Sequence, residues 1–317
     1  MATISNAQTT ASAVGIREDL SDAIHRVDIE ETPIIGLVGS NKSKNTLHEW
    51  QTRALGAVNT SNAKPEGDET ARAAPTQNAR ITNVCQISNK NATVSGTMEA
   101  VDKAGRDSEM ALQMADRTIE LRKDMEAIMF GTNQAFAGSG TRTLRSFEAW
   151  IRTNAQRGVG GANPDDPNVT PGTTATDGTQ RPFTETMLKT AMKSAFDLGA
   201  KPRKLVMGSF AKTVASTFTG RAISSADVNK NVASSNVTKY ESDFGILDFI
   251  PHPYMRSSGR TVLGIDPSMV KVSYLRKFKS YPLAKIGDAD TREILSEYTL
   301  EMCNEKAHFV IADLNTA

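Results

Sequence analysis

The sequence predicts an α+β fold, in which strands and helices come in separate runs rather than in strict alternation. The stretches NTLHEWQTRAL and ARITNVCQISNKNATVSGTMEAV alternate between side-chain types with a period of two, which predicts strands. One long amphipathic helix, DSEMALQMADRTIELRKDMEAIMF, follows these two stretches. The C-terminal third, from Val270 onward, again predicts strand after strand.

Composition narrows the class of protein. The 317 residues carry a net charge of +1, which argues against a general polyanion binder, although a local basic face stays compatible. Two cysteines make neither a disulfide framework nor a CxxC site, so we expect a protein made in a reducing cytoplasm. The N-terminus lacks the features of a signal peptide, and no apolar run is long enough to span a membrane.

The N-terminal region predicts a polar arm with one apolar anchor. We expect a short helix near residues 17–28, where isoleucine and leucine recur at helical spacing, and a break at Pro33. Ile34 and Ile35 lead the apolar anchor that follows. An arm with one such patch docks either on its own core or on a neighbouring subunit.

The two alternating stretches predict a long two-stranded ribbon with a polar tip. Residues 59–79 contain almost no large apolar side chains and cannot bury enough surface to fold alone. A ribbon of two strands is marginal in isolation, so we expect another subunit to hold it. Lys42, Lys44 and Lys64 then predict intersubunit salt bridges. A covalent bond to a neighbour's asparagine is the less favoured alternative. The simplest alternative is that these lysines only keep the protein soluble.

The long helix is predicted over residues 107–130, with Asp107 or Ser108 as its N-cap and Gly131 after its end. Its methionines are expected to fill the core rather than to bind a metal. The apolar stripe comprises Ala111, Met114, Thr118, Leu121, Met125 and Ile128, and the opposite face Asp116, Arg117, Glu120, Lys123 and Asp124.

The middle of the chain predicts a loop-rich connector and then a mixed α/β region. Thr184 is the predicted N-cap, and Gly199 the predicted stop, of the helix FTETMLKTAMKSAFDLGA. KLVMG predicts a short buried strand, and SFAKTVASTF a second helix. The strands DFGILDFIPHPYM and RTVLGID are expected to pair with each other through the turn SSG.

One stretch near the C-terminus, TLEMCNEKAHFVIADL, places Cys303, Glu305 and His308 within six residues. In a strand Cys303 and Glu305 share a face, whereas His308 points away unless a bulge intervenes. We therefore interpret the stretch as the last long strand, with an irregularity near Asn304, a free and partly buried Cys303 thiol, and a Glu305 that bridges to neighbours or stays solvated. An enzyme using these three residues is the remote alternative; no metal, cofactor or nucleophile motif supports it.

The order of elements resembles the HK97-fold major capsid proteins of tailed bacteriophages, and more narrowly the SU10-like major head proteins. The resemblance is carried by EDLSDAIHRVDIEETPIIG, by the long helix before Gly131, by KLVMGS and by EYTLEMCNEKAHFVIADL. It implies an N-terminal arm over 1–45, an extended E-loop over 46–104, and a P-domain with its spine helix and connector over 105–180. An A-domain would follow over 181–266, and strands returning to the P-domain over 267–317.

The resemblance also implies a function. Such subunits would form pentamers and hexamers and assemble, in the cytoplasm of a host bacterium, into an icosahedral virion shell around double-stranded DNA, without enzymatic activity or a cofactor. Portal, scaffolding and decoration proteins are further expected partners, DNA contact would be nonspecific, and no membrane is involved. A nanocompartment shell of the same fold, similar to encapsulins, is the alternative. The candidate intersubunit contacts are Ile34, Ile35, Lys42, Lys44, Trp50, Lys64, Glu66, Arg72, Arg80, Arg117 and Glu120.

Overall fold

The structure is a computed structural model that describes residues 24, 27–29, 31–69, 74–138, 140–168, 172–218, 221–224, 237–256 and 259–316. The helix expected near 17–28 falls almost wholly outside these residues. The α+β prediction is confirmed. The helices are α1 Pro33–Leu37, α2 Gly96–Ala100, α3 Glu109–Met129, α4 Phe147–Trp150, α5 Glu185–Asp197 and α6 Ser209–Ala215. The strands are β1 Gly39–Lys42, β2 Leu47–Thr52, β3 Ala79–Val84, β4 Gln86–Ser95, β5 Ala155–Gln156, β6 Lys204–Met207, β7 Arg221–Ser224, β8 Val237–Ser242, β9 Gly245–Pro251, β10 Val262–Ile265, β11 Val270–Pro282, β12 Ala289–Met302 and β13 Phe309–Ile311.

A four-stranded sheet in the order β1-β11-β12-β4 supports the long helix α3. β1 runs parallel to β11, and the two other pairs are antiparallel. The return strand of the predicted ribbon therefore divides at the buried Cys85, because β3 pairs with β2 whereas β4 pairs with β12 over residues 86–95. The two-stranded part of the ribbon is limited to β2 and β3.

A seven-stranded sheet in the order β5-β13-β10-β6-β9-β8-β7 forms the other half of the structure. Alternate residues of its central strand, β6, point to opposite faces of the sheet. Leu205 and Met207 pack against the cluster that contains α5 and α6, whereas Val206 joins the core below α3 and the four-stranded sheet. A strand that is buried on both faces has the continuous apolar sequence seen in KLVM.

The long helix begins and ends close to its predicted limits. Ser108 accepts a hydrogen bond from the backbone N–H of Ala111, as a helix N-cap does. The 21 residues of α3 correspond to a length of roughly 31 Å at a rise of ~1.5 Å per residue. Leu121 and Met125 are fully buried as the apolar stripe predicts, but Ala111 is exposed.

Two predicted strand arrangements are wrong. The strands β9 and β10 do not pair with each other, because β6 lies between them, parallel to β9 and antiparallel to β10. The expected last long strand is also two strands: β12 ends at Met302, a 3-10 turn follows at Glu305–Ala307, and β13 belongs to the other sheet. The Asn304 side chain accepts from the backbone N–H of Lys306 and so caps this turn.

The smaller helix α5 agrees with its sequence signals. Thr184 accepts from the N–H of Met187, and Gly199 takes a φ of +81°, which ends the helix in the left-handed conformation. The predicted helix in SFAKTVASTF is α6.

A glycine in the centre of the seven-stranded sheet yields a stability prediction. Gly264 in β10 pairs with Phe309 in β13, and a Cβ at this position would overlap the fully buried ring of Phe309. We expect Gly264→Ala to lower the free energy of unfolding by about 1–3 kcal/mol or more, as overpacking does. Gly36→Ala in α1 is the control, since a Cβ there meets no atom within 4 Å. Thermal unfolding of both variants checks this, and equal midpoints for Gly264→Ala and the parent would contradict it.

Candidate functional site

The N-terminal segment, meaning residues 27–29 and 31–38, is held by a fully buried carboxylate. Glu126 of α3 accepts hydrogen bonds from the backbone N–H groups of Ile34 at 2.7 Å and Ile35 at 3.1 Å. The Nε2 atom of His252 lies 3.0 Å from the same carboxylate, and this imidazole is buried as well. Thr32 makes no side-chain cap on α1, so Glu126 supplies the acceptor that the first turn of this helix lacks.

A second pair of contacts holds the N-terminal segment a few residues earlier. Lys123, one turn before Glu126, donates to Asp28 at 2.5 Å, and this bond raises the pKa of the lysine. The hydroxyl of Tyr254 donates to the carbonyl of Ile29 at 2.7 Å, and burial raises the pKa of this tyrosine. α3 therefore contacts the segment at two points, through Lys123 and Glu126, and the loop of residues 252–254 contacts it through Tyr254.

Glu301 ties the root of the ribbon to the four-stranded sheet. Its carboxylate lies 2.9 Å from Nε2 of His48, 3.1 Å from Nδ2 of Asn41 and 2.8 Å from Oγ of Ser273. These partners belong to β2, β1 and β11, so one buried acid joins four strands including its own. The hydrogen bond from His48, followed by those from Asn41 and Ser273, lowers the pKa of Glu301 to about 2 against the opposing effect of burial.

Asn83 fixes the other strand of the ribbon root. Its amide nitrogen donates to the carbonyl of Leu300 at 2.6 Å, and its amide oxygen accepts from the N–H of Arg145 at 2.8 Å. Trp50 of β2 packs on Trp150, with ring centroids 5.5 Å apart. The guanidinium of Arg145 lies over Trp150, and burial lowers the pKa of this arginine to about 10. The ribbon therefore leaves the subunit from a fixed root.

The connector is anchored by a buried acid of α4. Glu148 accepts from Arg157 at 3.0 Å and from Arg256 at 3.1 and 3.2 Å. Arg256 also reaches Asp177 at 2.7 Å, and these carboxylates raise its pKa. The long loop after α4 is thus connected to the segment that follows β9.

The predicted intersubunit contacts differ in their surroundings within the subunit. Ile34 is fully buried in the core of its own subunit, and Ile35 and Trp50 are partly buried against the same core. The apolar anchor therefore packs on its own subunit. Lys42, Lys44 and Glu66 are exposed, and Arg72 lies outside the described residues. The others have ionic partners within the subunit: Lys64 with Asp68, Arg80 with Glu49, Arg117 with Glu120, and Glu120 also with Lys90. Contacts to a neighbour at these positions stay predictions.

The residues of the C-terminal stretch have separate partners. Glu305 is half-buried and accepts from the N–H of Arg152 and from both the N–H and the hydroxyl of Thr153, so it has partners within the subunit, and a bridge to a neighbour stays a prediction. Nδ1 of His308 accepts from the N–H of Asp266, and full burial lowers the pKa of His308 to about 4. Cys303 is a free, partly buried thiol, as predicted, and burial raises its pKa.

Sequence reasoning missed Glu126, His252, Glu301 and Asn83. Glu126 follows Met125 and lies at the margin of the apolar stripe, which is the one local signal for its burial. The partners of the four residues are far away along the chain, and no spacing rule indicates them. Within the described residues, no three histidine, cysteine or acidic side chains cluster as a metal site requires, and no helix is long and apolar enough to cross a membrane.

A groove runs between the first half of α3 and the strands β4 and β12. It has a volume of 470 Å³, with an apolar floor that includes Val94, Met110 and Ile294 and a polar rim that includes Ser95 and Arg292. The ribbon tip shows the opposite feature, because Leu55 is 93% and Val58 92% exposed.

Solved structures with the same architecture are capsids. The chain is similar to the cyanophage A-1(L) capsid asymmetric unit, with a TM-score of 0.65 and 13% identity over 98% of this chain and 99% of that one. It is also similar to the mature capsid of bacteriophage PhiM1, with a TM-score of 0.60 and 8% identity over 99% of this chain and 97% of that one. The fold is therefore the HK97-like fold of phage capsid proteins, as the resemblance predicted.

The particular family follows from the sequence. Residues 3–315 match the family described as SU10 major capsid protein, so the chain belongs to this family and is a structural capsid protein. The major capsid protein of Escherichia phage Phieco32 is 30% identical over 100 residues, which are 32% of this chain. The match spans 28% of the length of that relative.

The low pKa of Glu301 predicts that the free energy of unfolding falls in acid. Because the folded-state pKa of about 2 lies below the ordinary 4.5, this carboxylate stabilises the fold above pH 4.5, and the contribution is lost as the pH falls toward 2. We expect Glu301→Gln to lower the free energy of unfolding at neutral pH by about 3 kcal/mol and to remove its fall between pH 4.5 and 2. Denaturant unfolding at several pH values measures it, with Glu293→Gln on the same strand as the control. A curve for Glu301→Gln parallel to that of the parent would contradict the assignment.

His308 predicts a second pH dependence at a higher pH. Its pKa in the fold is about 4 instead of 6.5, so the unfolded chain takes up a proton first and stability declines as the pH falls from 6.5 toward 4. His308→Asn keeps an acceptor for the N–H of Asp266 but does not titrate. We expect the variant to be less stable at neutral pH because of lost packing, yet to lack the decline between pH 6.5 and 4 in the same unfolding series. If that decline persists, another group causes it.

Proposed function

We propose that this chain is the subunit of an icosahedral phage shell that encloses double-stranded DNA. The observation that carries the proposal is the ribbon tip. Every described residue of 53–69 and 74–78 is exposed, including the large apolar side chains of Leu55 and Val58. A segment of this kind gains burial only from another molecule, and in a shell of identical subunits the neighbour supplies it.

The groove beside α3 is the surface that fits the tip of a neighbouring subunit. Its floor offers apolar side chains to Leu55 and Val58, and its rim carries both signs of charge in Arg292 and Asp290. Burying a leucine and a valine side chain contributes about 1.5–3 kcal/mol each, and this gain recurs at every subunit of a closed shell. The tip and the groove belong to one chain, so each subunit gives one contact and receives one.

The domain assignment follows the same reasoning. The N-arm over 1–45, the E-loop over 46–104, the P-domain and connector over 105–180, the A-domain over 181–266 and the closing strands over 267–317 are supported by the two sheets and the ribbon. The strand β4, inside the proposed E-loop, is a member of the four-stranded sheet, so the freely projecting part of that loop is the ribbon of β2, β3 and their tip.

The remaining expectations concern partners and place. A near-neutral subunit is consistent with pentamers and hexamers, a portal, a scaffolding protein and nonspecific contacts to DNA phosphates. The free thiols are consistent with assembly in the host cytoplasm. One structural neighbour, from phage G, is a complex of major capsid and decoration proteins. The separate partners of Cys303, Glu305 and His308 favour a chain without catalytic activity, and the family match favours a DNA-filled shell over a nanocompartment.

Removing the apolar character of the tip tests the proposal. We expect the double variant Leu55→Asp, Val58→Asp to fold with the thermal midpoint of the parent, because both side chains are exposed within the subunit. Assembly into shells should fall at least about tenfold, since two buried charges without partners cost several kcal/mol at each contact. Electron microscopy and sedimentation of the purified protein measure assembly.

The control adds charge to the same tip without touching an apolar side chain. Asn59→Asp should assemble as the parent does. Shell formation by the double variant at the parent's level would overturn the docking of the tip, and a strictly monomeric parent at high concentration would overturn the capsid function itself.

A further inference from the structure

The N-terminal segment lies in a cleft whose two walls come from different parts of the chain. One wall is α3, with Lys123 and Glu126, and the other is the loop of residues 252–254 that follows β9. Asp28 bonds to Lys123 of the first wall and Ile29 bonds to Tyr254 of the second, whereas Ile34 and Ile35 bond to Glu126 of the first wall. The walls also touch each other, because His252 contacts Glu126 directly.

The hydrogen bonds around His252 fix its role. Its Nδ1 accepts from the N–H of Tyr254 at 3.2 Å, which assigns the ring proton to Nε2. Nε2 then donates to Glu126, so one buried carboxylate has three donors, of which two belong to the N-terminal segment and one to the loop. Each donor stabilises a charge that has no access to water. Loss of one donor therefore places a larger share of the desolvation cost on the other two.

The segment depends on this carboxylate more than an ordinary helix would. α1 has five residues and no side-chain cap, and Pro33 at its start contributes no N–H. A helix of this length is unstable by itself. The N–H groups of Ile34 and Ile35 are the first that need an acceptor, and Glu126 takes both. The same α1 buries Ile34 completely in the core.

From this arrangement we propose that docking of the N-terminal segment and seating of the 252–254 loop on α3 are coupled through Glu126, so that neither is fully stable without the other. The coupling acts in both directions, as linkage requires. Displacing the loop removes the imidazole donor and the Tyr254 contact to Ile29 together. The segment thereby becomes a strap whose release depends on a loop at the end of β9 in the seven-stranded sheet.

Hydrogen exchange followed by mass spectrometry tests the coupling on the purified full-length protein. His252→Phe keeps a ring against Phe130, whose centroid lies 4.2 Å away, but removes the donor. The variant does not alter the N-terminal segment, yet we expect peptides covering residues 31–38 to exchange about tenfold faster, the factor that corresponds to ~1.4 kcal/mol. His252→Gln, which restores an N–H donor, should return most of the protection.

Two further variants keep the test decisive. Tyr254→Phe removes only the hydroxyl bond to Ile29 and should also increase exchange in residues 31–38, by a factor of about 2–5, typical of one neutral hydrogen bond. Asp124→Asn, on the same helix but with its carboxylate on Lys90 of β4, is the matched control and should leave the exchange of these residues unchanged.

The coupling is overturned if His252→Phe and Tyr254→Phe leave residues 31–38 at the parent's exchange rate. It is equally overturned if exchange rises by the same factor in β12 and β4, because the variants would then destabilise the whole subunit. If His252→Phe does not fold, His252→Ala, which also removes the donor, takes its place, because the Tyr254 hydroxyl bonds to Ile29 directly and not through Glu126.

Discussion

The constraint on which the rest of the structure depends is the buried charge of Glu126. A carboxylate without access to water is tolerated only when hydrogen-bond donors surround it, and these donors come from the N-terminal segment and from the loop after β9. One side chain of α3 therefore holds both the N-terminal segment and the loop that follows β9 of the seven-stranded sheet against the long helix. An apolar contact at this position would hold the same elements without specifying their register.

The other buried acids repeat this arrangement at the remaining junctions. Glu301 joins β1, β2, β11 and β12, Glu297 takes Arg142 and Arg276, and Glu148 takes Arg157 and Arg256. Most of their partners are far away in sequence, although Arg157 is nine residues from Glu148, and the apolar clusters fill the space between the junctions. Breaking one partner of such a buried pair typically costs about 3–5 kcal/mol, so these ties define one arrangement of the subunit.

The sequence predicts those features that depend on neighbouring residues. The limits of α3, the cap of α5 by Thr184 and the ribbon of β2 and β3 follow from periodicity and capping, which are local. Strand pairing is not local: β6 separates β9 from β10, and nothing near either strand indicates it. The break at Asn304 was visible as an irregular pattern, but the change of sheet after it was not. The sequence does not indicate the burial of Glu126, because a single acid beside an apolar stripe has the same pattern as an acid on the solvated face.

The ribbon joins these observations to assembly. Its root is rigid, because Asn83 bonds to two parts of the core and Trp50 packs on Trp150. The described residues of its tip, 53–69 and 74–78, are exposed in the subunit. In the proposed docking on a neighbouring subunit, the entropy cost is therefore confined to the tip, at about 1–2 kcal/mol per residue that becomes fixed, since the root and its direction are already ordered. A flexible root would add to this cost and would let the tip reach wrong neighbours. Buried polar ties at the root thus support the proposed contact between the tip and a neighbouring subunit.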